Sequence, residues 1–75
     1  MTSDQIRSRL IEKYSDADVE VVDLTGTEDH YQVSISTTGL KGLNRLEQQR
    51  AVMGVFENEL RTGEINAFTI RATVK

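Results

Sequence analysis

The sequence predicts a two-layer α+β domain: a three-stranded mixed sheet covered on one side by helices, in the order helix, strand, strand, helix, strand. Three observations lead there. Near the N-terminus, Ile6, Leu10 and Tyr14 recur at intervals of four, the period of a helix with one buried stripe. His30 to Ser36 alternate strictly, with Tyr31, Val33 and Ile35 on one side and His30, Gln32, Ser34 and Ser36 on the other, as in a strand with one wet face. A second helical stretch separates that strand from a third, so the last strand returns parallel to a hairpin strand through a right-handed crossover. At 75 residues the chain has room for one core, and residues 1–75 are read as a single domain.

Each element has a local cause. Thr2-Ser3-Asp4-Gln5 has the form of a capping box that starts the first helix, with Ile11 beside its stripe and Arg7, Arg9, Glu12 and Lys13 toward solvent. Ser15-Asp16-Ala17-Asp18 reads as a polar turn. Val19 to Leu24 is β-branched and strand-like, and Thr25-Gly26-Thr27-Glu28-Asp29 is a turn short enough to make an antiparallel hairpin with His30–Ser36. Thr37 to Gly42 breaks the pattern. From Leu43 one long helix is expected, with Leu46, Met53, Phe56 and Leu60 near one stripe, Val52 alongside and Gly63 as its C-cap. Gly54 within it costs about 1 kcal/mol against alanine, and Glu57 and Glu59 fall toward its unfavourable C-terminal end. Ile65 to Val74 is the last strand, with Phe68 and Ile70 facing the core.

Composition narrows the function. The chain has no cysteine and one histidine, which excludes disulfides, thiolate metal sites and multi-histidine centres built by this chain alone. No apolar run approaches the roughly 20 residues of a membrane span, and the N-terminus lacks a signal-peptide pattern, so a cytoplasmic protein is expected. With a lone histidine, scattered serines and no converging acid–base pair, the inventory does not make an enzyme.

Two features remain as binding candidates. Gly39-Leu40-Lys41-Gly42 matches the GxxG loop with which KH domains approach nucleic-acid backbone, and Lys41, Arg45 and Arg50 supply positive charge beside it. The same four residues equally suit a plain helix-entry turn, and the net charge of −3 is a poor footprint for gripping phosphates. His30 is either a metal ligand or a polar residue on the wet face of its strand. Gln48, Gln49 and Arg50 fall on the polar side of the long helix.

Taken together, Asp23-Leu24-Thr25-Gly26 with Asp29-His30-Tyr31, the Gly39–Gly42 turn running into Arg45–Val52, and Ile65-Asn66-Ala67-Phe68-Thr69-Ile70-Arg71 resemble the BolA-like proteins in order and spacing over nearly the whole chain. The Gln48-Gln49 pair is similar to the IbaG-like (YrbA-like) branch. The resemblance implies an α-β-β-α-β fold related to type II KH domains. It also implies partnership with a monothiol glutaredoxin in iron–sulfur cluster trafficking or iron and redox homeostasis; some members are described as transcriptional regulators that bind DNA. It further implies that the cluster-ligand position and the helix-entry loop border one surface, so a partner is expected on the face of Gln48, Gln49 and Arg50 with Lys41 and Asn66; Gly39, Gly42 and Arg45 complete the partner- or nucleic-acid-binding candidates.

The sequence departs from the family pattern at two places. Family members carry a cluster-ligating histidine where this chain has Asn66, and many carry a cysteine or histidine in the hairpin loop, where Gly26 to Asp29 has neither. No cofactor is therefore expected to be tightly bound by this chain alone, and His30 is the single ligand it offers toward a [2Fe-2S] cluster shared with a glutaredoxin. A KH-like nucleic-acid-binding regulator stands as the alternative, and the oligomeric state stays open.

Overall fold

The computed structural model describes residues 1–26 and 30–75; Thr27, Glu28 and Asp29, in the expected hairpin turn, lie outside the described residues. The order is α1 (Ser3–Lys13), β1 (Asp18–Asp23), β2 (His30–Ser36), a single 3₁₀ turn (Thr38–Leu40), α2 (Arg45–Gly54), α3 (Glu57–Thr62) and β3 (Ala67–Thr73). β2 is central: β1 pairs with it antiparallel and β3 pairs with it parallel. This is the expected two-layer α+β fold with a mixed three-stranded sheet.

The capping box forms as read, Gln5 N–H donating to Thr2 Oγ1 at 3.1 Å and Thr2 N–H to Gln5 Oε1 at 2.8 Å. Ile6 and Leu10 are fully buried under the helix, and Tyr14 is its C-cap. Alternation in β2 holds residue by residue, with Tyr31, Val33 and Ile35 buried. These meet Leu40, Val52, Phe56, Ile65 and Ile70 in one core. Phe56 and Phe68 pack edge to face, with centroids 5.2 Å apart, a geometry that aromatic quadrupoles favour.

Several expectations are corrected. β1 begins at Asp18, within the expected polar turn, and ends at Asp23; Leu24 is outside it but still donates its N–H to His30 O at 2.9 Å. The expected long helix is two helices. Val55 N–H and Phe56 N–H turn back to Val52 O and Met53 O over three residues, which tightens the chain and ends α2. Gly54, with no described atom within 4 Å of a built Cβ, makes no packing contact; it contributes low helix propensity at the break. The break rotates the apolar stripe. Leu46 and Met53, expected in the core, are exposed, whereas Val52 and Phe56 are buried.

Because α3 starts afresh after Phe56, Glu57 and Glu59 lie in its first turn, where the helix dipole favours carboxylates. Glu59 pairs with Arg9, and the Arg9 guanidinium lies 5.2 Å from the Phe56 ring centroid. Arg9 therefore clamps α1 to α3 instead of facing open solvent. Gly63 caps α3 in the left-handed conformation, as expected.

Candidate functional site

The register of β2 and β3 decides which candidate residues meet. His30 lies opposite Ala67 and Ser36 opposite Thr73, so the two strands run together from one end of the sheet to the other. Asn66 precedes Ala67, which places it beside His30 at the hairpin end. His30 is half-buried on the open face of the sheet, opposite in direction to buried Tyr31; Asn66 is exposed. The Gly39–Gly42 loop instead follows Ser36, at the far end of β2, six residue steps or about 20 Å away. The residues that the resemblance groups on one surface thus fall at two ends of the sheet. The helix-entry loop does border the last strand, but at its C-terminal end, where Thr37 N–H donates to Thr73 O at 3.2 Å. Asn66 belongs with His30.

At the loop end, Lys41, Gly42, Arg45 and Arg50 are exposed, which keeps them accessible. Part of the backbone, however, is occupied internally. Gly39 N–H donates to Thr37 Oγ1 at 3.1 Å, Lys41 N–H to Thr38 O at 3.0 Å and Leu43 N–H to Leu40 O at 3.3 Å. The start of α2 is closed by a second capping box, Glu47 N–H to Asn44 Oδ1 and Asn44 N–H to the Glu47 carboxylate, both 2.9 Å. That carboxylate stands at the helix N-terminus, where a bound phosphate would otherwise find positive dipole. Gly39 is needed for another reason as well. A Cβ there would come within 2.5 Å of the Tyr14 ring, so this glycine makes room for the domain's own side chain. Gly42, at φ 85°, serves the turn into α2.

Sequence reasoning missed what ties this loop down. The Asp16 carboxylate accepts hydrogen bonds from the Thr37 hydroxyl, from Thr38 N–H at 3.0 Å and from the Thr38 hydroxyl at 2.6 Å. These bonds favour the ionised carboxylate and, with a smaller contribution from Lys75, hold its pKa at about 2. Lys75 in turn donates to Asp16 O at 2.6 Å and pairs with Asp18 at 3.2 Å. An acidic residue in a polar turn carries no sign of a partner about 20 residues away, so no sequence signal was available. The glutamines, expected on a polar face, are engaged as well: Gln48 Nε2 donates to Leu43 O at 2.9 Å and Gln49 Nε2 to Ile70 O at 2.7 Å, so both amides brace α2.

Among the described residues no group of three or more histidine or acidic side chains is placed to hold a metal ion. No described helix is long and apolar enough to cross a membrane. What the geometry offers is a small α+β module with exposed residues at both ends of its sheet.

The comparisons with known proteins give that module its family. The model of the BolA-like protein family matches residues 6–75, and the chain belongs to that family. Among solved structures it is similar to BolA1 from Arabidopsis thaliana (24% identity, TM-score 0.85, 96% of this chain and 89% of that one). It is similar as well to the BolA domain of SufE1 from the same plant (22%, TM-score 0.86, 96% and 89%) and to a BolA-like protein from Babesia bovis (23%, TM-score 0.84, 99% and 85%). At these identities the likeness concerns the fold. No functionally curated protein matches the chain in sequence.

Proposed function

We propose that this chain is a non-enzymatic, cytoplasmic BolA-like adaptor of the IbaG-like branch that docks a monothiol glutaredoxin in iron–sulfur cluster trafficking or iron and redox homeostasis. The observation that carries the reading is the register that sets His30 beside Asn66, the position where the family resemblance places its ligand histidine. The cluster is the cargo of such an exchange. The donor set here fits one imidazole contribution, from His30. It does not fit a second at residue 66, because a neutral amide oxygen is a poor ligand for iron in a sulfide cluster, where thiolate or imidazole is the rule.

The alternative, a KH-like nucleic-acid-binding regulator acting through Lys41, Arg45 and Arg50, is less well supported. The Gly39 and Lys41 N–H groups are engaged internally, Glu47 stands at the helix start, and the net charge is −3. Its mark is an affinity that falls steeply with salt and disappears on reversing Lys41 and Arg45.

The test is anaerobic cluster reconstitution with a monothiol glutaredoxin, read by visible circular dichroism, for wild type, His30→Ala and Asn66→His. The adaptor reading expects a stable complex in all three. A new spectrum in wild type that is lost in His30→Ala identifies His30 as the ligand. A new spectrum only in Asn66→His means that docking persists without ligation. No complex with any variant overturns the reading.

A further inference from the structure

We propose that the open face of the sheet is a self-association surface that takes a second copy of this chain, face to face about a two-fold axis running along β2. The helices cover one side of the sheet; the other presents cross-strand rows fixed by the register. These are Asp18–Ser36–Thr73, Glu20–Ser34–Arg71 and Val22–Gln32–Thr69. Leu24, His30 and Ala67 extend the series at the hairpin end. A shallow depression lies over the second row, lined by Glu20, Ser34, Ser36, Arg71 and Thr73 among others. Glu20 and Arg71 are exposed, and among the described residues neither takes part in an ion pair. They stand two strand spacings apart, about 10 Å, with small Ser34 between them.

This arrangement is self-complementary under one symmetry operation and not under the other. A two-fold axis along β2 keeps each row at its own height and exchanges the outer strands. Glu20 of one copy then faces Arg71 of the second copy, and Arg71 faces Glu20, giving two equivalent ion pairs in an isologous contact. An axis across the strands would instead set Glu20 on Glu20 and Arg71 on Arg71, which like-charge repulsion disfavours. The favoured axis also covers the exposed apolar residues of this face: Val22, 41% exposed, meets Thr69, and Leu24, 54% exposed, meets Ala67. Ser36, Ser34 and Gln32 lie on the axis, with the His30 imidazole at its hairpin end, and the two sheets face each other at the roughly 10 Å of packed β-layers.

The footprint is small. Three strands at about 4.8 Å by a length of about 20 Å give on the order of 300 Å² per copy, against about 800 Å² per partner in a standard stable interface. The dimer is accordingly weak and transient, and sensitive to salt. His30 lies beneath the axis, so the dimer covers the end of the sheet where the partner is proposed to dock. That consequence rests on the functional reading above; the dimer itself does not.

Sedimentation velocity on the isolated chain over a concentration series, at low and high salt, tests the proposal without any glutaredoxin. Wild type is expected to pass from monomer to dimer with concentration, and less so in high salt. Glu20→Arg and Arg71→Glu, each setting like charges against each other, are expected to weaken association at least tenfold. Their equimolar mixture restores both ion pairs and is expected to dimerise at least as well as wild type. A wild type that stays monomeric throughout, single variants that associate like wild type, or a mixture that stays monomeric would each overturn it.

Discussion

Gly39→Ala separates the two explanations of the glycine loop. The backbone at Gly39 is not in the left-handed region, so alanine meets no conformational penalty there and any cost is steric. The added Cβ would stand 2.5 Å from Tyr14 Cδ1 and 2.9 Å from Cε1, about 1 Å inside the usual 3.5–4.0 Å carbon contact. Tyr14 cannot retreat freely. Its N–H is held by Leu10 O at 2.8 Å as the C-cap of α1, and its half-buried ring packs against the core. Overpacking of this kind costs about 1–3 kcal/mol, which in a domain of this size lowers Tm by roughly 5–20 °C. The assay is thermal and urea unfolding of wild type, Gly39→Ala, Tyr14→Ala and the double variant. In the Tyr14→Ala background the Gly39→Ala cost should shrink to below about 0.5 kcal/mol, because the obstructing ring is gone. An unchanged cost without the ring, or no cost with it, would refute the reasoning and leave close approach to a ligand as the purpose of the glycine.

Four further outcomes follow from particular positions. Asp16 has its folded pKa held at about 2, below the ordinary 3.8, so its contribution to stability is present above pH 4 and is lost as pH falls from about 4 to about 2; Asp16→Asn should flatten that limb of a Tm-versus-pH curve. Arg9→Met removes both the Glu59 ion pair and the charge over Phe56, and should lower stability by about 1 kcal/mol in urea unfolding, a modest figure because the pair is partly solvated. Gln49→Ala leaves Ile70 O without its side-chain donor and should cost about 1 kcal/mol, whereas Gly54→Ala, in open space, should be neutral or stabilising by up to about 1 kcal/mol.

Features governed by short-range chemistry were legible in the sequence. The Thr2–Gln5 capping box, the alternation of His30–Ser36 and the left-handed Gly63 cap each follow from residues within a few positions of one another, and all three are present. The helix after Leu43 shows where that reasoning stops. Leu46, Met53, Phe56 and Leu60 suggest one stripe only if the helix is continuous, and the turn at Val55–Phe56 destroys that continuity. Arg9 likewise looks solvent-facing from its own helix; the partners that half-bury it, Glu59 and Phe56, are about 50 residues away. The site followed the same rule. His30, Asn66 and the glycine loop could each be singled out in the sequence, but their grouping depended on the parallel register of β2 and β3, a non-local fact.

The most direct test of the account is a chemical-shift map of the ¹⁵N-labelled chain titrated with a monothiol glutaredoxin, held dilute enough to keep the chain monomeric. The largest perturbations are expected at His30, Asn66 and Ala67, with Lys41, Gly42 and Arg45 little changed about 20 Å away. Perturbations centred on the loop residues, with the His30 end silent, would contradict it.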